Sequence, residues 1–338
     1  MKFGPVPVED AVGAIAAHSA RAGDAVLRKG SVIALEDAAR LKAAGIDTIV
    51  TVRLEPGDVG EDEAALRLAR AISGAHVRVE RPFTGRSNLF SERAGILLVD
   101  RAEVDAINAV DEAITVATLP AYKPVVAGEM VGTVKIIPYA VGEGPLKRAL
   151  HRTGRALAVA PYRRRRVGVI STLLPGLKAT VVDKTLAVLS RRLEPAGAVV
   201  SGEMRVAHDP EPLRTALAEQ AAGEAQMIVI FGAPAIADRR DVIPSAIEGA
   251  GGVVEHFGMP VDPGNLLLVG SLRGKPVIGA PGCARSPKEN GFDWILHRLL
   301  ADVPVTRADI VVLGVGGLLM EIVSRPQPRA GGPSEDEG

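Results

Sequence analysis

Gly279–Gly291, reading GAPGCARSPKENG, gathers the residue types most able to hold an anion. Apolar Pro276–Ile278 precedes it, and Phe292, Ile295, Leu296 and Leu299 follow at helical spacing. The pattern predicts a strand, a glycine- and proline-rich loop and then a helix. Backbone N–H groups of such a loop, together with the positive end of the helix dipole, favour negative charge. Ala280, Pro281, Gly282, Cys283, Ala284, Arg285 and Ser286 are the candidate lining. Gly279 and Gly282 let a ligand approach the backbone, Arg285 and Lys288 add charge, and Ser286 adds a hydroxyl. The same residues also suit a rigid connector in which Ser286 or Asn290 caps the helix.

Two other loops have similar content. Ser171–Lys178, reading STLLPGLK, offers Ser171, Thr172 and Gly176. Gly232–Asp241, reading GAPAIADRRD, offers Gly232, Ala233, Pro234 and Ala235. Three acids are candidate catalytic groups: Asp183, Asp238 and Asp241. The last two flank Arg239 and Arg240, so they are either ligands for a divalent metal bridging phosphates or surface charges paired with those arginines. Asp183 lies three residues after Thr180, the spacing of a helix cap. Cys283 has no histidine close in sequence to activate it. His208 and His256 read as turn and strand-end residues, and no histidine pair has zinc-ligand spacing. Arg163–Arg166 is either a solvated linker or a ligand contact.

The elements that must carry these loops are legible as apolar runs. Val167–Ser171, Met227–Phe231 and Val277–Ile278 are short and continuous, as in strands buried on both faces of a parallel sheet. Ile310–Leu313 reads the same way. Between them, Val182, Leu186, Leu189 and Leu193 form one helical stripe, and Leu213 with Leu217 another. This strand–helix alternation predicts an α/β fold, a doubly wound and mostly parallel sheet. Leu266–Val269 and Val277–Ile278 look like a hairpin appended to it. In such a sheet the ligand sits outside the carboxyl ends of the strands, where all three loops fall.

Upstream lie smaller α+β regions. Residues 1–75 hold helical patterns at Val8–Ala17, Leu35–Ala44 and Glu61–Ile72, and a strand at Thr48–Leu54. Residues 76–162 hold strands at Gly95–Val99, Ile114–Thr118 and Val131–Ile137, and a helix at Asp105–Asp111. The expected division is then 1–75, 76–162, a main domain at 163–305, a strand segment at 306–323 and a disordered tail at 324–338.

The chain has 338 residues, 47% of them hydrophobic but only 3% aromatic, so its cores must be aliphatic. Lysine plus arginine and aspartate plus glutamate number 40 each, which argues against nucleic acid or an acidic membrane as partner. One cysteine excludes an internal disulfide framework. The N-terminus lacks a signal-peptide pattern, and no apolar run reaches membrane-spanning length. A cytoplasmic protein is expected.

Residues 167–300 resemble the molybdopterin-binding domain shared by molybdopterin adenylyltransferase and molybdopterin molybdotransferase. The family's Ser-Thr-Gly-Asp/Glu is similar to Ser171-Thr172-Leu173-Leu174, and its Asp-Ser-Asn to Asp183-Lys184-Thr185. Its Ser-Gly-Gly-Val-Ser-x-Gly-Asp loop looks like Phe231–Asp238. Its Lys-Pro-Gly-Lys-Pro segment corresponds to Val261–Asn265, with Pro263, Gly264 and Asn265, and its Leu-Pro-Gly-Asn-Pro loop to Ala280–Ala284. Lys29–Ile33 and Leu41–Ile46 resemble a segment of the multidomain molybdotransferases. Leucine replaces the family's acid after Ser-Thr, Ala233 replaces a glycine, and Asn265 replaces a lysine. The resemblance implies a protein of molybdenum cofactor biosynthesis that binds molybdopterin or its nucleotide form, with Mg²⁺ as candidate metal and a homo-oligomer as the expected assembly. Two readings stay open. One is an enzyme of molybdate insertion; the other is a non-catalytic carrier serving a separate nucleotidyltransferase, a domain that in a divergent subgroup of the family often follows this core.

Overall fold

The computed structural model describes residues 1–152 and 154–319. The tail expected to be disordered therefore lies outside the described residues. The chain divides into two compact units, Met1–Pro161 and the remainder from Tyr162.

In the first unit, Thr48–Arg53 is the middle strand of a three-stranded antiparallel sheet between Lys2–Pro7 and Ile15–Ala16. The helix Leu35–Ala43 packs Ala38 and Leu41 into a small core with Val8, Ile33 and Ile49. The helix expected at Val8–Ala17 does not form. Val8–Ala11 makes one 3-10 turn, and Gly13, with φ +79°, turns the chain into the strand Ile15–Ala16. A positive φ ends a right-handed helix, and glycine adopts it at little cost. Beyond Asp58, the helix Glu61–Ile72 opens with Glu61, Asp62 and Glu63, the charge its dipole prefers. It buries Ala64, Leu68 and Ile72 against Leu89, Val134 and Ile136. Those residues belong to a four-stranded antiparallel sheet in the order Ile114–Thr118, Met130–Ile136, Arg86–Ser91, Val77–Val79.

Elements of the second unit are labelled in chain order. They are β1 (Arg166–Leu173), α1 (Ala179–Leu193), β2 (Val199–Ala207), α2 (Pro210–Ala222), β3 (Met227–Phe231), α3 (Val242–Gly249), β4 (Val253–Phe257), β5 (Leu268–Leu272), β6 (Lys275–Ala280), α4 (Gly291–Leu300) and α5 (Arg307–Val311). The fold is mixed α/β around a six-stranded sheet in the order β2-β1-β3-β6-β5-β4. The pairs β2–β1, β1–β3 and β3–β6 are parallel; β6–β5 and β5–β4 are antiparallel, the latter two strands adding the expected hairpin and one more edge.

Every residue of β3 is buried, so the sheet is covered on both sides there. Ile170, Ile228, Ile230 and Val277 form one core with Leu213 and Leu217 of α2 and Ile243 and Ile247 of α3. Phe231 of β3 meets Phe292 of α4 with ring centroids 6.3 Å apart, which puts α4 against the alternate residues of the strand. Ile310–Leu313, expected as a strand, is helical: α5 is followed by a 3-10 turn at Val312–Gly314. Thr306 caps α5 through the Asp309 N–H, and Asp309 returns the bond to the Thr306 N–H. That capping box wins over the β-branched composition of a four-residue run.

Arg163–Arg166 is a clamp within this unit. The Arg163 and Arg164 N–H groups both donate to the Leu300 carbonyl, and Arg164 also pairs with Asp302. Arg165 and Arg166 donate backbone N–H groups to Gln226 Oε1 at 2.6 and 3.1 Å.

Candidate functional site

Because β1, β2, β3 and β6 run parallel, their carboxyl ends share one edge of the sheet. Ser171–Lys178, His208, Gly232–Asp241 and Pro281–Asn290 all leave from that edge. Thr172, 1% exposed, ties three of these segments together. Its Oγ1 accepts the Ala233 N–H at 2.9 Å and lies 2.9 Å from His208 Nδ1.

Beside Thr172 is a cavity of about 10 Å³, lined by Ser171, Thr172, Leu177, Val182, Thr185, Phe231 and Arg285 among others. That volume seats roughly one oxygen atom or one water. Ser171 is 2% exposed, and its hydroxyl has no hydrogen-bond partner among the described residues. Arg285 enters from the far loop and donates to the Gly232 carbonyl. No carboxylate among the described residues pairs with it, and burial alone pulls its pKa below the usual arginine value. An orphaned hydroxyl and an unneutralised guanidinium facing the same small space suit an anionic oxygen. Leu174, Leu177 and Val181, which are 47, 36 and 39% exposed, lay apolar surface beside it.

The loop Pro281–Asn290 is not held as the sequence suggested. Asn290, 1% exposed, caps α4 by accepting the Phe292 N–H, and Asp293 accepts the Asn290 N–H at 2.8 Å. The Gly291 N–H donates to the Pro263 carbonyl. The α4 N-terminus is thus satisfied by the chain itself, and the capping reading of Asn290 stands in place of an anion site on the dipole. Ser286 does not cap the helix; its Oγ accepts the Lys288 N–H. Gly282 forms the start of a 3-10 turn, Gly282–Arg285, with φ outside the left-handed region, and a β-carbon there would meet nothing within 4 Å. Neither backbone conformation nor packing therefore requires glycine at position 282.

Sequence reading missed the residue that shapes this loop, Arg192 of α1. Its guanidinium, 8% exposed, donates to the carbonyls of Ala284, Ser286 and Lys288 and pairs with Asp293. It also lies 5.7 Å over the Phe292 ring. Nothing local in the sequence links position 192 to 284–293; only the outward count along the α1 stripe could have flagged a buried charge.

The remaining candidates lie outside the cavity lining. Gly264, with φ +140°, sits so close to Gly291 that a β-carbon would come within 2.9 Å of its backbone. With Pro263 it braces α4, and the Asn265 carbonyl accepts the Met259 N–H. A β-carbon at Gly232 would fall 2.6 Å from the Pro234 carbonyl oxygen, so packing demands that glycine. Pro234, Ala235 and Gly176 are exposed, and Gly176 turns the first loop at φ +85°. Ala280 and Pro281 are buried. Burial pushes the Cys283 thiol up, away from a thiolate nucleophile.

The three acids are engaged elsewhere. Asp183 pairs with Arg205 at 2.7 Å, and α1 begins without a side-chain cap, so the Thr180–Asp183 cap does not form. Asp238 takes the Arg240 side chain at 2.7 Å, which holds its pKa down at about 2. Asp241 caps α3, accepting the Val242 and Ala237 N–H groups. No group of three or more His, Cys, Asp or Glu among the described residues is placed to hold a metal ion. No helix among them is long and apolar enough to cross a membrane.

Comparison with known proteins adds four findings. Residues 5–53 match a domain of unknown function. The crystal structure of a molybdopterin biosynthesis MoeA protein from Pyrococcus horikosii matches at 16% identity over 89% of this chain and 75% of that one, with a TM-score of 0.31, too low to equate the two arrangements. No curated protein matches the chain. Residues 167–302, which carry the sheet, the cavity and all four loops at its edge, match the family described as probable molybdopterin binding domain.

Proposed function

We propose that the second unit takes part in molybdenum cofactor biosynthesis by binding molybdopterin or its nucleotide form, with a phosphate oxygen seated between Ser171 and Arg285. The observation that carries this reading is that pair: a buried hydroxyl and a half-buried arginine that, among the described residues, have no partner and no carboxylate respectively, on one cavity at the strand ends. The apolar strip Leu174–Val181 supports the ring system beside it. Helices on both faces of the sheet support the doubly wound reading.

Of the two functions open to such a domain, the carrier is favoured. The donor set does not fit Mg²⁺: one guanidinium covers Asp238, and backbone N–H groups occupy both oxygens of Asp241. A carrier of this kind hands its ligand to a separate nucleotidyltransferase.

Titration of the purified protein with molybdopterin tests the reading. The parent should bind at micromolar concentration or better, and Arg285→Ala should weaken binding by about tenfold, ~1.4 kcal/mol. Absence of pterin binding at that level, or an Arg285→Ala variant that binds like the parent, sinks it.

A further inference from the structure

The first unit contains a cleft of about 340 Å³, within the size range of small-molecule sites and outside the stretch that matches the molybdopterin binding domain. Lys29, Arg86, Lys135, Glu61, Tyr139 and Ile137 line it. Lys135 is neutralised: Nζ lies 3.4 Å from Glu61 Oε2 and donates to the Thr84 carbonyl at 2.6 Å. The other two cations are not. Lys29 Nζ lies 5.7 Å over the Tyr139 ring, and Arg86 donates to Thr133 Oγ1 at 3.2 Å. Neither has a carboxylate within 4 Å among the described residues.

The walls are fixed before any ligand arrives. Phe83 and Arg86 exchange two backbone bonds, at 2.9 and 3.1 Å, around a turn with φ +47° at Thr84 and +72° at Gly85. Asp62 accepts the Gly85 N–H at 2.6 Å, and a β-carbon on Gly85 would come 2.3 Å from Glu61 Oε2. Tyr139 is held by its hydroxyl, which donates to the Ala17 carbonyl at 2.7 Å. Arg86 and the Tyr139 ring are thus presented by rigid backbone rather than by loops that must order.

We infer that this cleft binds a small organic phosphate monoester. Two uncompensated cations facing one concave space repel each other and favour a ligand with about two negative charges, which a phosphate monoester carries near neutral pH. Glu61 is placed to accept from a ligand hydroxyl while paired with Lys135. Ile137, 58% exposed, and the Tyr139 ring offer apolar surface to the organic portion.

The test is calorimetric titration of the full chain carrying Arg285→Ala, at low ionic strength, with glycerol 3-phosphate as probe. That background keeps the outcome separate from the cavity of the second unit. One site per chain is expected, and the double variant Lys29→Met, Arg86→Met should bind at least about tenfold more weakly. Both side chains are exposed, so unfolding temperature without probe should match the background protein and show that the fold is intact. Glycerol should not bind, and succinate should bind several-fold more weakly. The inference is overturned if the background protein does not bind the probe, if the double variant binds it equally well, or if succinate matches it.

Discussion

The two arginines that reach the loop between β6 and α4 are held in opposite ways. Arg192, entering from α1, saturates three carbonyls and a carboxylate, and Asn290 and Pro263 satisfy the helix start beside it. Arg285, on the loop itself, spends one bond on a carbonyl, and Ser171 across the cavity spends none among the described residues. Both arginines are buried or half-buried, so residue type does not tell them apart. Spare hydrogen-bonding capacity does. A saturated charge builds the fold, and an unsaturated one leaves room for a ligand.

The largest test of this contrast is Arg192→Met. Breaking a buried pair leaves Asp293 without its cation and the Ala284 and Ser286 carbonyls without the donor they have, at about 3–5 kcal/mol of stability. Chemical denaturation should show that loss, whereas Arg285→Ala should leave the unfolding midpoint nearly unchanged and affect ligand binding instead. Equal destabilisation by the two would erase the distinction.

A pH titration sharpens it further. His297 of α4 is packed against Tyr162, its Nδ1 2.9 Å from the hydroxyl, and burial lowers its pKa from 6.5. The unfolded chain therefore binds more protons below that value. The contribution of neutral His297 is fully present above pH 6.5 and is lost as pH falls from there toward the lower pKa of the folded state. Thermal unfolding followed across this range should show stability declining with pH, and His297→Gln should flatten that part of the slope. An unaltered slope would remove His297 from the saturated set.

The smallest effect is expected from the acids. Asp183→Asn and Asp238→Asn alter exposed carboxylates already paired with Arg205 and Arg240, and exposed pairs contribute about 0–1 kcal/mol. Molybdopterin affinity should stay within about twofold of the parent, since neither carboxylate lines the cavity. A larger loss would return these acids to the site and revive a catalytic reading.

Much of the second unit was legible because buried parallel strands leave a local record. Val167–Ser171 and Met227–Phe231 are continuous apolar runs since both their faces are covered. β2 escaped notice for the converse reason. As an edge strand it alternates exposed and half-buried residues, with Glu203 and Arg205 among them, and so has no apolar run. Val8–Ala17 misled because its apolar spacing suited a helix while Gly13 broke it. In the first unit, the Lys29–Tyr139 cleft joins residues more than a hundred positions apart and has no motif.

From the sequence alone came the buried central strands of the second unit, the loops that meet at the sheet edge and the family resemblance, since apolar periodicity and glycine–proline punctuation are local properties. Which of those loop residues are already satisfied was decided only in three dimensions. Hydrogen-bond saturation depends on partners such as Arg192, brought from about ninety residues away by the packing of α1, and no local pattern encodes that pairing.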